Sequence, residues 1–170
     1  MKKLEPESTN VNLLLKKADK INMPAKLFDP SKIHSAFKII PLQIHGDEQG
    51  SLISLESFKN IPFEIKRVYY IFGTAPGVIR GKHAHQNLKQ VLISIHGNCK
   101  VKVDNGIKEK EYLLNNPSAG LYIQGLVWRE MYDFSPDCVL LVLTDGYYKE
   151  EDYIRNYEQF KKWGENSHDL

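Results

Sequence analysis

From Phe37 onward the chain alternates short β-type segments with turn signals, and this pattern constrains the fold more than any other feature. The segments include FKIIPLQI, SLISLE, IPFEIKRVYYIF, KQVLISIHG, CKVKV and CVLLVLTD, and the turns between them include GDEQG, GTAPG, DNG and NNPSAG. Many short strands at this spacing are typical of a sandwich or barrel. We therefore expect an all-β domain over residues 37–165, with a short helix near its C-terminal end.

Two segments of this domain support local predictions. VKVDNGIKEKEYLL predicts a hairpin, because alternating residues flank an Asn-Gly pair that is compatible with a type I′ turn. EEDYIRNYEQFKKW, residues 150–163, predicts a helix, since an apolar stripe recurs at helical spacing through Tyr153, Ile154, Tyr157 and Phe160. We expect this stripe to pack against the barrel rather than to bind a cofactor.

Residues 1–36 differ in texture from the rest of the chain. VNLLLKKADKI, residues 11–21, is compatible with a short amphipathic helix, and the prolines that follow it break any continuation. We interpret residues 1–36 as a partly disordered N-terminal extension of the main domain and assign it no chemistry.

Charge and hydrophobicity exclude some classes of partner. The net charge is +2 and no block of like charge is present, so neither nucleic acid nor an anionic membrane is expected to bind. The longest apolar runs, such as VLLVL, are too short to span a bilayer, and the N-terminus lacks an apolar signal segment, which predicts a cytoplasmic protein. Cys99 and Cys138 lie in apolar runs and are expected in the core.

Two histidines flank one alanine in RGKHAH, residues 80–85, between Gly77 and Gly97. Residues i and i+2 of a strand face the same side, so His83 and His85 are expected to line one cavity. Metal binding, proton transfer and simple packing are all open to such a pair. Other polar residues nearby favour a functional site, namely Arg80, Gln90, Tyr69 and Tyr70.

The spacing of these histidines and glycines resembles the first motif of the cupin superfamily, a double-stranded β-helix or jelly roll. Metal-binding cupins carry a glutamate where this chain has Gln90, and a further histidine near GLVWRE, where Arg129 aligns. An amide is a poor ligand for a transition metal and a guanidinium cannot be one. We therefore expect no metal and no cofactor, and a metal-dependent cupin is the weaker alternative.

Longer segments resemble one enzyme family of this fold, the nucleotide-sugar 3,4-ketoisomerases that act on dTDP-4-keto-6-deoxyglucose. The matching segments are GSLISLE, IPFEIKRVYYIFGT, RGKHAH, KQVLISIHGNCKVKVDNG, GLYIQGLVWREMYDFSPDCVLLVLTDGYY and EDYIRNYEQF. They lie within residues 50–160, about two-thirds of the chain.

The resemblance implies an isomerase that moves the carbonyl of dTDP-4-keto-6-deoxy-D-glucose from C4 to C3. It also implies a domain-swapped homodimer, with exchanged strands around residues 37–55. The product would pass to a 3-aminotransferase and then to an acetyltransferase, which make 3-amino-3,6-dideoxyhexoses for O-antigen lipopolysaccharide, S-layer glycans or antibiotics.

The matched HAH motif assigns the catalytic roles. His83 is expected to remove the C3 proton, and His85 to help move a proton between the C3 and C4 oxygens. An unperturbed histidine has a pKa of about 6.5, which lets His83 begin unprotonated. The oxyanion that develops needs positive charge or donors, for which the candidates are Arg80, Tyr70 and Arg129.

Further residues are candidates for the substrate contacts. Strand parity places Tyr69 and Tyr70 on opposite faces, and we choose Tyr70 as the one that faces the site. Trp128, Gln90 and Arg129 are expected to contact the nucleotide or hexose, with packing as an equal alternative for Trp128. Glu130 completes this group and is expected to orient a neighbour.

Two questions stay open at this stage. Galacto-forming relatives tend to have histidine where this chain has Arg129, which favours the gluco product at C4, whereas Gln49 fits neither pattern. The alternative functions are a non-catalytic cupin that binds sugar nucleotides, or the metal-dependent cupin.

Overall fold

The protein folds into two facing five-stranded antiparallel sheets, seen in a computed structural model that describes residues 35–166. The first sheet contains, in spatial order, β1 (Ala36–Pro41), β9 (Ala119–Gln124), β6 (Lys89–His96), β11 (Val139–Thr144) and β4 (Arg67–Ile71). The second contains β12 (Tyr153–Ile154), β5 (Arg80–His85), β10 (Trp128–Tyr132), β7 (Cys99–Asp104) and β8 (Glu109–Leu114).

Three smaller elements complete the fold. Strands β2 (His45–Asp47) and β3 (Gly50–Leu52) form a separate hairpin, a 3₁₀ turn covers Glu150–Asp152, and helix α1 spans Tyr157–Asn166. The predicted all-β jelly roll with a short C-terminal helix is thus confirmed. The predicted extension lies outside the described residues except for residues 35 and 36, and so does the amphipathic helix at 11–21.

The core lies between the two sheets because alternate residues of each strand point inward. Val101 and Val103 of β7 face Leu140 and Val142 of β11, and all four side chains are buried. Fully burying a side chain of this size stabilises the fold by about 1.5–3 kcal/mol. Both cysteines, Cys99 and Cys138, are buried in this cluster, as predicted.

The predicted hairpin is present, with a different turn. Strands β7 and β8 pair from Cys99–Leu114 to Asp104–Glu109, so residues 105–108 form the connection. Gly106 has φ 91°, but Asn105 keeps a negative φ, and its side-chain oxygen accepts hydrogen bonds from the N–H groups of Ile107 and Lys108. This capping by Asn105 replaces the type I′ geometry, which requires both central residues at positive φ.

The C-terminal helix begins later than the sequence predicts. Tyr153 and Ile154 are extended and pair with His85 and Ala84 of β5, so the helix starts at Tyr157. Ile154 is buried against Ala84, and the N–H of Gln86 donates to the carbonyl of Asp152 at 3.0 Å. Tyr153 and Ile154, which helical periodicity assigns to α1, therefore form a strand that pairs with the edge of β5.

Helix α1 is tied to the hairpin by a buried carboxylate. Asp104 is 2% exposed and accepts hydrogen bonds from the Tyr157 hydroxyl at 2.7 Å and from the N–H of Gly106 at 2.7 Å. Lys161 Nζ lies 3.6 Å from the same carboxylate. This cluster fixes the helix over Trp128, whose ring centroid lies 5.8 Å from that of Phe160 on the helix.

Replacing this carboxylate should destabilise the fold. We expect Asp104→Ala to lower the free energy of unfolding by about 2–3 kcal/mol, because a buried charged acceptor is lost and the Tyr157 hydroxyl loses its partner. Urea denaturation measures the change. Glu109→Ala is the matched control, since this carboxylate of the same hairpin is exposed and forms an ion pair with Lys102, and its loss should cost less than about 1 kcal/mol. Equal losses in both variants would contradict the anchoring role.

Within residues 35–166, no helix has the length and apolar character needed to cross a membrane.

Candidate active site

A cavity of about 370 Å³ opens between strand β4 of the first sheet and strand β5 of the second. Residues after β11 complete its wall. The side chains that line it come from four segments, and they are Arg67, Val68, Tyr69, Ile71, Arg80, Gly81, His83, Met131, Tyr148 and Tyr153. The cavity is positively charged, because its lining includes arginines and no carboxylate.

The two histidines of HAH lie side by side on the inner face of β5, as strand parity predicts. Their ring centroids are 4.8 Å apart with an interplanar angle of 80°. His83 lines the cavity, whereas His85 lies deeper and is 2% exposed. The pair therefore presents one accessible imidazole backed by a buried one.

The backbone before His83 determines which of its ring nitrogens is free. Gly81 and Lys82 have φ values of 84° and 52°, and this left-handed stretch places the Gly81 carbonyl 2.9 Å from His83 Nδ1. A carbonyl oxygen only accepts, so Nδ1 carries the hydrogen and Nε2 keeps its lone pair. Gly81 is required here, since a Cβ would lie 2.7 Å from the carbonyl oxygen of Arg129.

Both imidazoles are held in the neutral form. Burial, followed by the charge of Arg129, lowers the pKa of His83 from 6.5 to about 4. The same two causes lower the pKa of His85 further. His83 is therefore an unprotonated base at neutral pH, which the proton-transfer hypothesis requires.

Arg129 lies on β10 directly opposite His83 in the strand register. Its side chain is 1% exposed, and its three guanidinium nitrogens find no hydrogen-bond partner among the described residues. Burial lowers its pKa to about 10, so it stays charged at neutral pH. An unpaired buried cation is costly unless an anion binds to it, which makes Arg129 the strongest anion-binding candidate of the site.

The prediction that Tyr70, rather than Tyr69, faces the site is wrong. Tyr69 lines the cavity, and Gln90 Nε2 donates to its hydroxyl at 3.4 Å, whereas Tyr70 is 62% exposed and packs on Phe72. Parity separates the two residues but does not say which face is inner. Burial raises the pKa of Tyr69, so its hydroxyl stays protonated and can donate a hydrogen bond.

The position of Tyr69 in the cavity predicts that removal of its hydroxyl lowers activity more than removal of the Tyr70 hydroxyl. Tyr69→Phe should lower kcat of the isomerase activity expected from the sequence by about tenfold, because a hydroxyl that can donate a hydrogen bond in the cavity is lost. Tyr70→Phe removes an exposed hydroxyl and should leave kcat within about twofold. Steady-state kinetics on both variants measures the difference, and a larger loss in Tyr70→Phe would show that the outer face is functional.

Two predicted substrate contacts lie away from the cavity. Trp128 is buried on the opposite face of β10, against Tyr157 and Phe160 of helix α1. Its Nε1 donates to Glu130 at 3.0 Å. Trp128 is therefore a packing residue, which is the alternative predicted from the sequence. Glu130 contacts Trp128, which makes Trp128 the neighbour that Glu130 can orient. Residues i and i+2 share a face, so Arg129 between them points inward while these two point outward.

The other predicted residues lie at or near the cavity. Arg80 lines its mouth with an exposed side chain, and Gln90 is buried behind Tyr69. Sequence reasoning missed Arg67, Tyr148 and Tyr153. The guanidinium of Arg67 lies 5.2 Å from the ring centroid of Tyr69 and 5.8 Å from that of Tyr148. All three lie in segments that carry the family resemblance, and Tyr153 also lies in the segment with helical periodicity, but neither pattern marks them as site residues.

Ligands for a metal are sparse in this region. Within residues 35–166, no three side chains of the His, Cys, Asp or Glu type lie close enough together to hold a metal ion. The metal-dependent alternative would have to rely on His83 and His85 beside a guanidinium, which is unfavourable for a divalent cation.

Comparison with known proteins identifies similar chains. A family model described as "FdtA: WxcM-like, C-terminal" matches residues 35–165. A TDP-4-oxo-6-deoxy-alpha-D-glucose-3,4-oxoisomerase from Aneurinibacillus thermoaerophilus is 51% identical over 126 residues, which cover 74% of this chain and 91% of the relative.

Solved structures of similar enzymes agree with the fold. The TDP-quinovose 3,4-ketoisomerase WlaRB from Campylobacter jejuni has a TM-score of 0.72 at 49% identity, covering 74% of this chain and 97% of that one. A mutant of the 3,4-ketoisomerase QdtA from Thermoanaerobacterium thermosaccharolyticum, in complex with TDP-4-keto-6-deoxyglucose, has a TM-score of 0.76 at 43% identity and covers 79% and 97% of the two chains.

Proposed function

This chain belongs to the FdtA-like family of sugar-nucleotide 3,4-ketoisomerases, and from that premise we propose that it converts dTDP-4-keto-6-deoxy-D-glucose into a dTDP-3-keto-6-deoxyhexose. We assign this activity to a cupin domain at residues 37–165. The observation that carries the proposal is a neutral imidazole pair, of which His83 lines the cavity, beside a buried guanidinium that finds no hydrogen-bond partner among the described residues. The imidazoles can move protons, and the guanidinium can hold the negative charge that forms.

In the first step His83 Nε2 takes the proton from C3. The C4 carbonyl acidifies this proton, and the electron pair of the C–H bond becomes the C3–C4 double bond while O4 takes the negative charge. The product of the step is an enediolate with the proton on His83. The Gly81 carbonyl bound to Nδ1 stabilises the resulting imidazolium, because it accepts the Nδ1 hydrogen throughout.

In the second step a proton moves between the two oxygens and another reaches C4. The O3 hydroxyl loses its proton and O4 gains one, for which His85 and the Tyr69 hydroxyl are the candidate relays. His83 releases its proton to water, a water-derived proton reaches C4 on the opposite face of the enediol, as the gluco configuration requires, and the C3 carbonyl forms. His85 suits a relay since its buried ring stays neutral.

Arg129 supplies the electrostatic stabilisation. Its guanidinium is fixed by burial before the substrate binds, so little reorganisation is needed when O4 becomes negative. We propose that this replaces the Lewis acid of metal-dependent cupins. Gln90 contributes indirectly, because its side chain donates a hydrogen bond that positions the Tyr69 hydroxyl.

The mouth of the cavity suits the nucleotide part of the substrate. Arg67 and the exposed Arg80 both line the cavity. One guanidinium group can bind two phosphate oxygens at once, so we assign both arginines to the diphosphate of the substrate. This moves Arg80 from the oxyanion role expected from sequence to a binding role.

We also propose the gluco configuration at C4 of the product. Arg129, in place of the histidine expected for galacto-forming relatives, favours it, and one similar enzyme is named a TDP-quinovose ketoisomerase. The product would then enter the synthesis of 3-amino-3,6-dideoxyhexoses through a 3-aminotransferase and an acetyltransferase.

The domain-swapped homodimer is part of the proposal. Every residue of hairpin β2–β3 is exposed, including Leu52, and Val68, Tyr70 and Phe72 on or beside edge strand β4 are exposed as well. Apolar groups at these positions are suited to burial against a second copy.

Product analysis tests the function. The full chain is incubated with dTDP-4-keto-6-deoxyglucose, the product is trapped by a 3-aminotransferase, and NMR assigns the sugar. We expect amination at C3 and an equatorial C4 hydroxyl. Binding of dTDP by calorimetry without any amination at C3 would instead favour the non-catalytic cupin.

A further inference from the structure

The segment from Tyr148 to Arg155 crosses the outer side of the histidine pair, and the mechanism above uses none of it. Tyr153 is its innermost residue. The centroid of its ring lies 4.8 Å from that of His83 and 4.3 Å from that of His85, with interplanar angles of 55° and 63°. One phenol ring therefore contacts both imidazoles at once.

The two imidazoles differ in what fixes their orientation. His83 is held by its hydrogen bond to the Gly81 carbonyl. His85 has no such bond, since its buried Nδ1 finds no partner among the described residues. Its orientation depends on ring contacts, and Tyr153 supplies the closest of the ring contacts that His85 makes.

Tyr153 is in turn held from the solvent side. The guanidinium of Arg155, an exposed side chain, lies 4.5 Å from the centroid of the Tyr153 ring. Arg155 Nε and Nη2 donate to Glu150 Oε1 at 3.1 and 2.9 Å, and the Tyr148 hydroxyl donates to the same carboxylate. A cation over an aromatic face contributes about 0.5–1 kcal/mol at an exposed site.

The backbone on both sides of Tyr153 is fixed as well. Tyr153 and Ile154 pair with β5 opposite His85 and Ala84, and Ile154 is buried. The side chain of Gln86 also donates to the carbonyl of Glu151 at 3.0 Å. The ring is thus held by its strand, by the cation and by the imidazoles that it contacts.

We propose that Tyr153 is a positioning residue for the isomerisation, a role that rests on the function proposed above. Its ring, held by Arg155 and Glu150, keeps His85 in the orientation that relays a proton between the two oxygens. The role belongs to the ring and not to the hydroxyl. A displacement of about 1 Å of a reacting group can cost on the order of a hundredfold in rate, so loss of the ring should affect kcat.

Three variants of the full chain test this role. Tyr153→Leu removes the ring and should lower kcat by about tenfold to a hundredfold with KM within about twofold. Tyr153→Phe keeps the ring and should restore kcat to within about threefold of wild type. Tyr147→Leu makes the same change at an exposed tyrosine outside the cavity lining, and should leave both constants unchanged.

A measurement on the free protein separates this role from the function itself. In ¹⁵N-histidine-labelled wild type, we expect narrow imidazole signals for His83 and His85, and in Tyr153→Leu we expect the His85 signals to broaden or shift while those of His83 persist. If wild type shows no turnover, the proposed function fails and this spectrum still tests the positioning. Unchanged His85 signals, or a Tyr153→Phe variant as slow as Tyr153→Leu, would overturn it.

The test remains decisive if Tyr153→Leu does not fold. Arg155→Gln removes the cation from an exposed position and leaves the ring in place, and its unfolding temperature is measured alongside. We expect a smaller loss of kcat, about threefold, with the same change in the His85 signals. A kcat and a spectrum identical to those of wild type would contradict the role of the Arg155 and Glu150 pair.

Discussion

His83→Asn is expected to reduce kcat by about a thousandfold, because a positioned general base contributes on the order of 10²–10⁴ to the rate. Asparagine preserves the polar contact near the Gly81 carbonyl but cannot accept a proton from carbon. Binding of dTDP should survive, since Arg67 and Arg80, which line the cavity, are untouched. Steady-state kinetics and calorimetry measure the two effects.

The pH profile of the wild type gives an independent check of the same residue. The pKa of His83 is lowered to about 4, so the base stays deprotonated well below the usual range of histidine. We expect kcat/KM, which reports the free enzyme, to stay level from about pH 8 to about pH 5 and to fall below that. His96→Asn, at an exposed histidine outside the cavity, is the control and should leave the profile unchanged.

Arg129→Met is expected to reduce kcat by about a hundredfold to a thousandfold, the range seen when one preorganised donor at an oxyanion is removed. The same change should move the acid limb of kcat/KM to higher pH. Arg129 is the second cause, after burial, of the lowered His83 pKa, and its loss lets that pKa rise towards 6.5. Arg129→Lys keeps the positive charge but lacks the planar guanidinium, so its kcat should lie between those of the wild type and Arg129→Met.

The stability of Arg129→Met should not fall together with its activity. Arg129 is buried without a hydrogen-bond partner among residues 35–166, so replacing it by an apolar side chain of similar length should not lower the unfolding temperature. A functional loss without a stability loss would show that the guanidinium serves the reaction. An unmoved acid limb, or a clear drop in unfolding temperature, would contradict this assignment.

Much of the fold and half of the site follow from local sequence pattern. The strands and their turns appear in the sequence because inner and outer residues alternate, and alternation places His83 and His85 on one face. The glutamine at position 90 and the arginine at position 129, in place of a carboxylate and a histidine, also favour the proposed proton-transfer site over a metal site. These inferences need only the order of residues along one strand or one motif.

The remaining parts depend on how strands come together. Parity separates Tyr69 from Tyr70, but the inner face is defined only when β4 meets the opposite sheet across the cavity. The same holds for Trp128, which faces helix α1 rather than the cavity. Aromatic residues suit both environments, so their chemistry does not decide between them.

Tyr153 shows a different limitation. Its segment has helical periodicity and the sequence offers no competing signal. The edge of β5 supplies backbone groups that need partners, and pairing there outweighs the helical pattern for Tyr153 and Ile154. A residue beside both histidines was therefore assigned to packing, because the partner strand lies nearly seventy residues earlier in the chain.

The most direct test of the whole account follows the transferred proton. The full chain, treated with a chelator, is incubated with dTDP-4-keto-6-deoxyglucose in D₂O, and NMR locates the deuterium in the hexose. The account predicts a dTDP-3-keto-6-deoxyhexose that carries deuterium at C4, and no label or product with His83→Asn. An unlabelled, unchanged substrate with the chelated wild type would contradict it, as would full activity of His83→Asn.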